Sequence, residues 1–86
     1  SVKIEKIENV KVEPGNAKQI GVPLQGLLSK ILVKKGQKLK KNEPLFVIEA
    51  MKMETTITAN EACEVKAVHL KEATMVGTDD LVISLV

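Results

Sequence analysis

The chain has 86 residues and a net charge of +2, from 13 Lys and Arg against 11 Asp and Glu. That is one small domain, or a piece of something larger, burying only about 60–65% of its unfolded surface. So small a charge names no partner, a single cysteine excludes an internal disulfide or a zinc site made of cysteines, and no apolar run nears the ~18 residues of a membrane span.

Phe46 is the one aromatic residue, so the core must come from Val, Ile, Leu and Ala. The start, SVKIEKIENVKV, lacks the apolar region of a signal peptide. A soluble intracellular protein is the default expectation: cytoplasmic, or in the mitochondrial matrix if eukaryotic. A start at Ser1 rather than Met reads as a tag scar or an excised piece of a longer chain.

In chain order, Val2, Ile4, Ile7, Val10 and Val12 alternate with charges and slip once, which predicts a short strand ending near Val12. EPGN, Glu13 to Asn16, is a turn signal and the expected boundary. Residues 1–16 then read as a linker or the end of a preceding domain, and 17–86 as the domain itself. IGVPLQG leads into LLSKILV, Leu27 to Val33. Lys34 to Pro44 is polar and turn-rich, anchored only by Leu39. LFVIE, Leu45 to Glu49, and TTITA, Thr55 to Ala59, are strand-like and flank AMKM. ANEAC turns again, EVKAVHL alternates, KEATMVGTDD is polar around Val76, and LVISLV closes the chain. No stretch has a helical period. Many short strands between turn signals argue for an all-β sandwich or barrel.

The chain also repeats itself. Gly26 to Leu39 laid over Cys63 to Val76, an offset of 37, matches Leu28 with Val65, Ile31 with Val68, Val33 with Leu70 and Leu39 with Val76. With one residue deleted after that, Leu45 falls on Leu81 and Val47 on Ile83. Two copies are too few for a solenoid. They predict a pseudo-two-fold sandwich in which each half supplies strands to both sheets, with Lys52 near the midpoint.

The AMKM hairpin breaks a local rule. Tight hairpins use Asn-Gly or Asp-Gly because a type I′ turn needs positive φ at both central residues. Here Met51 and Lys52 hold those places, at about 1 kcal/mol each. Broken local rules mark functional sites. Positive φ at both residues is therefore the expectation, with the lysine at the outermost point.

EAMKMETTI resembles the attachment motif of biotinyl (biotin carboxyl carrier) domains. The resemblance extends over about residues 17–86, through GVPLQG, KKGQKLKKNEPL and LVISL, and NAKQIGVPLQG is most similar to the carboxyl-terminal carrier domains of pyruvate carboxylases. It implies a flattened barrel of two four-stranded antiparallel sheets with pseudo-two-fold symmetry and Lys52 in an exposed hairpin. It implies biotin in amide linkage to Lys52, installed by biotin protein ligase, with Glu49, Ala50, Met51, Met53 and Glu54 as motif and ligase-recognition residues. It further implies a carrier, not a catalyst, that takes a carboxyl group from a biotin carboxylase domain to a carboxyltransferase domain, with EPGNA suited to a tether. Carriers of acyl-CoA carboxylases and oxaloacetate decarboxylases are similar. A lipoyl carrier is the alternative, but its lysine usually follows Asp and precedes Ala. Ala73, where the repeat has Gly36, and Cys63, in a turn where Gly is common, imply somewhat different turn geometry.

Chemistry supports the lysine. A carrier needs a long, free primary amine, which Arg lacks. A lysine amine in water is protonated at neutral pH, so the modifying enzyme must help remove the proton. A Schiff-base enzyme would need a desolvated lysine in a pocket, and a hairpin tip offers none. A bare β-interaction module would leave Lys52 unmodified. Lys34, Lys35, Lys38, Lys40 and Lys41 read as a solvated loop, with docking to an acidic surface as the alternative. Nucleic-acid binding is not expected without aromatic platforms. His69 has no metal-spaced partner, Cys63 reads as a small turn or core residue, and Asp79 and Asp80 as loop-capping or solvated carboxylates.

Overall fold

Residues 10–86 are described by the computed structural model, so the alternation at Val2, Ile4 and Ile7 lies outside the described residues. Eight strands follow one another: β1 (Gln19–Gly21), β2 (Gly26–Ile31), β3 (Lys38–Leu39), β4 (Pro44–Ala50), β5 (Met53–Thr58), β6 (Cys63–Val68), β7 (Thr74–Val76) and β8 (Leu81–Leu85). They make two four-stranded antiparallel sheets, β1-β8-β6-β3 and β5-β4-β2-β7. This is the all-β, two-sheet architecture expected, with each half of the chain supplying two strands to each sheet. Among the described residues no helix is long and apolar enough to cross a membrane.

The core between the sheets is aliphatic, as composition requires, with Phe46, Leu28, Leu45, Ile48 and Ile83 as its largest fully buried side chains. Two segments read as polar around a single apolar residue carry strands of only two and three residues. Lys38–Leu39 pairs with the start of β6, and Thr74–Val76 with the start of β2. Each is anchored by one buried residue, Leu39 or Val76.

The repeat is visible in the backbone. Gly36 N–H donates to the Val65 carbonyl (2.8 Å), and Ala73 N–H, 37 residues on, to that of Leu28 (2.7 Å). Asn42 N–H donates to Ala59 and Asp79 N–H to Val22, again 37 apart. Leu32 N–H donates to Leu45 and His69 N–H to Val82. The last pair corrects the expected one-residue deletion, because Leu45 matches Val82 and the offset of 37 continues. The physical reason is a bulge. The register shifts between Pro44 and Phe46 against β5, and between Gly21 and Ile20 against β8. Leu45 with Phe46, and Val82 with Ile83, therefore both enter the core. Bulges of this kind put one unpaired residue in the strand, so period-2 patterning cannot fix the register there.

Ala73 also departs from expectation. Its turn is not altered: φ is +67° at Ala73 and +85° at Gly36, with the same hydrogen bond at each. The alanine accepts the left-handed conformation that glycine adopts freely. A Cβ at Gly36 would meet nothing within 4 Å, so any penalty there is conformational only.

Two outcomes are expected in denaturant unfolding. Gly36→Ala destabilises by about 0.5–1 kcal/mol, and Ala73→Gly stabilises by somewhat less because it also loosens the unfolded chain. Phe46→Ala costs about 3–5 kcal/mol, enough to unfold much of so small a domain.

Candidate functional site

β4 and β5 form a hairpin laddered from Pro44↔Thr58 up to Ala50↔Met53, which leaves Met51 and Lys52 as the two turn residues. Their φ angles are +51° and +65°, the left-handed pair that a two-residue turn matched to strand twist requires. Neither is glycine or asparagine, so the turn holds conformational strain at the tip. From Glu49 to Thr56 only Ala50 is even partly buried. β5 lies at a sheet edge with Ile57 as its one half-buried apolar residue, so the end of the hairpin projects into solvent.

The Lys52 side chain is exposed, and among the described residues its ammonium has no hydrogen bond or ion pair. Met51 is 95% and Met53 71% exposed. Such exposure is unusual for apolar side chains; methionine there gives a soft, adaptable contact surface. Glu49 and Glu54 face each other across the ladder, and neither forms an ion pair among the described residues. Like charges directly opposite destabilise a strand pair. The hairpin thus gathers all six motif residues named above, in an arrangement that folding alone would not favour.

The sheet brings three further residues beside them. Leu27 faces Glu49 on one side and Met75 on the other, and Met75 is 66% exposed. Gly26 is buried under the hairpin base, where a Cβ would lie 2.6 Å from the Glu49 carbonyl oxygen and 3.1 Å from Ala50 Cβ. Only hydrogen fits, and that close approach seats the hairpin on β2. The motif reading missed these residues. PLQG is legible as a turn, but the pressure of Glu49 and Ala50 on Gly26 depends on strand register, and Met75 lies in a segment whose strand is three residues long.

The other candidates are scattered. Lys34, Lys35, Lys38, Lys40 and Lys41 are all exposed and form no ion pairs among the described residues. His69 is exposed, with Nε2 2.6 Å from Ser84 Oγ. Cys63 opens β6 rather than lying in a turn. Burial pushes its thiol up, Glu61 and Glu43 add to the shift, and Lys18 opposes it, so it is a poor nucleophile at neutral pH. Asp80 is a loop cap, accepting Gly77 N–H at 2.8 Å, but it is buried rather than solvated. Among the described residues no group of three or more His, Cys, Asp and Glu is placed to hold a metal ion.

The family model described as biotin-requiring enzyme matches residues 18–85. The chain is 37% identical over 81 residues to pyruvate carboxylase 1 of Caenorhabditis elegans, covering 94% of this chain and 7% of the relative. It is 36% identical over 69 residues to the biotin carboxyl carrier protein of Streptococcus mutans, covering 80% of this chain and 53% of that protein. Among solved structures, the complete multifunctional pyruvate carboxylase of Rhizobium etli superposes with a TM-score of 0.77 at 32% identity, over 91% of this chain and 7% of that one. The chain therefore spans only a small part of the pyruvate carboxylases it matches.

Met51→Asn keeps the turn and relaxes it, since asparagine tolerates positive φ; a gain of about 0.5–1 kcal/mol in denaturant unfolding is expected. Gly26→Ala does the reverse. Its methyl group meets backbone rather than a flexible side chain, so a loss of about 1–3 kcal/mol is expected, with amide shift changes centred on Glu49 and Ala50.

Proposed function

Because the chain belongs to the family of biotin-requiring enzymes, we propose that it is a biotin carboxyl carrier domain with biotin held in amide linkage on Lys52. One observation carries the assignment: within the matched residues, a lysine with an unengaged amine occupies the outermost turn of a projecting hairpin. That fits what attachment demands. The amide bond forms between Lys52 Nζ and the carboxyl carbon of an activated biotin, the acyl–phosphate bond to the adenylate breaks and AMP leaves, and the ammonium gives up two of its three protons, the amide nitrogen keeping the third. No described side chain is placed to take a proton from Lys52, so that help comes from a biotin protein ligase. Glu49, Ala50, Met51, Met53 and Glu54 are the residues such a ligase would read. The methionines offer adaptable apolar contact and the facing glutamates a site for a cation of the partner.

When attached, biotin supplies a carrier for carboxyl groups. The chain's own part is presentation: the strained turn keeps the attachment point outside the body, and the exposed methionines let several partners grip it weakly. The partners are the biotin carboxylase and carboxyltransferase domains of a parent enzyme, itself a ligase, while this domain does no catalysis alone. Pyruvate carboxylase is the favoured parent, given the relatives at 37% identity. Acyl-CoA carboxylases and oxaloacetate decarboxylases remain alternatives for the acceptor. Lipoyl attachment is the second reading, and Met on both sides of the lysine argues against it. The carrier's eight strands all fall within residues 17–86. Its compartment is the cytoplasm, or the mitochondrial matrix in a eukaryote, in keeping with a single free cysteine.

The test is intact mass and peptide mapping after co-expression with biotin protein ligase and biotin. One biotinyl addition on Lys52, lost in Lys52→Arg while the fold is kept, is the expected result. A folded, unmodified chain would overturn the assignment and direct the next assay to lipoylation.

A further inference from the structure

The pseudo-two-fold creates two equivalent edges, at residues 40–44 and 77–81, and the chain treats them differently. At the second, the N-terminal segment is docked. Val12 N–H donates to the Asp79 carbonyl (2.8 Å) and Leu81 N–H to that of Val10 (2.7 Å). Between them Lys11 bridges to Asp80 in an antiparallel pairing and forms an ion pair with its carboxylate. The Lys11 ammonium also donates to the Thr78 carbonyl at 3.2 Å. Asp80 is 4% exposed, so this cation compensates a carboxylate largely removed from water. Val12 lies over Gly21, where a Cβ would stand 2.7 Å from Val12 Cγ1.

The first edge has the same backbone. Asn42 has φ +69° and Asp79 +68°. Lys40 N–H donates to Glu43 Oε1 (3.3 Å), as Gly77 N–H does to Asp80. Glu43 keeps the carboxylate of Asp80, yet four other residues that receive the segment at the second edge are replaced there by ones that would refuse it. Leu81 corresponds to Pro44, which has no N–H to donate. Gly21 corresponds to Thr58, whose side chain takes the room that Val12 uses. Gly77 and Thr78 correspond to Lys40 and Lys41, which would repel a cation such as Lys11.

We propose that Gly21 and residues 77–81 are a built socket for an extended segment with a central cation, and that its occupant is this chain's own Val10–Val12. The socket makes that segment part of the folded body, with Lys11–Asp80 as its clip. Any pivot to a preceding domain then lies upstream of Val10 rather than at the Pro14–Gly15 turn. That last consequence, for the reach of the arm, rests on the carrier reading; the socket does not.

Amide hydrogen exchange on the 86-residue chain tests it. Val12 and Leu81 amides should be protected at least tenfold over unstructured peptide. Lys11→Gln, which leaves the body's own residues in place, should reduce both at least tenfold while Leu28 and Ile83 keep theirs. Gly21→Thr, which copies the first edge, should do the same. Exchange of Val12 at the free-peptide rate in the unaltered chain, or protection unchanged in Lys11→Gln, would overturn the socket. Biotin plays no part in these readings, so a failure of attachment at Lys52 and a failure of the socket are separate results.

Discussion

Neither half of this chain can complete a sheet. β1 and β3 reach their sheet only through β8 and β6, and β5 and β7 reach theirs only through β4 and β2. Four of the six strand pairings therefore join one half to the other. The hydrogen bonds that begin and end the loops, such as Gly36 to Val65 and Ala73 to Leu28, cross the same boundary. Stability must then be cooperative, since losing one half removes the partners of the other. Folding must also close long loops before most pairing is rewarded, which favours slow rather than fast assembly.

Against that interlocked body the hairpin tip is built differently. It places left-handed backbone on Met51 and Lys52, apolar side chains in water, and Glu49 opposite Glu54. Each choice opposes stability by a modest amount, and none is offset by a contact within the described residues. The body carries the tip because β4 is anchored below it by Phe46 and Ile48, both fully buried. Gly26 lets β2 come close enough to hold Glu49 and Ala50 in place. Presentation of an amine is thus a mechanical task, divided between a stiff base and an unsheltered end.

Much of this was legible in the sequence. The missing turn residues around Lys52 announced strain, and the positive φ angles followed. The 37-residue repeat announced the two-fold pattern. What failed was local. Leu45 and Val82 sit at bulges, where two consecutive residues turn inward, so alternation could not distinguish a deletion from continued register. β3 and β7 hold two and three residues, too few for any period. Ala73 keeps a glycine's conformation because the surrounding hydrogen bonds determine the turn, whatever propensity prefers. The docking of Val10–Val12 arises from a comparison of edges, Pro44 against Leu81 and Thr58 against Gly21, which acquires meaning only once the strands are placed.

The two-fold has one further implication. Two chains of about 37 residues, each lacking a sheet of its own, would associate in this same backbone as an isologous pair. In such a pair both poles would consist of chain ends. Joining the copies converts one pole into a turn and leaves the other as the entrance and exit of the chain. Lys52 lies in that seam, where every side chain from Met51 to Thr56 is exposed, so a group attached there leaves the packing of both copies undisturbed.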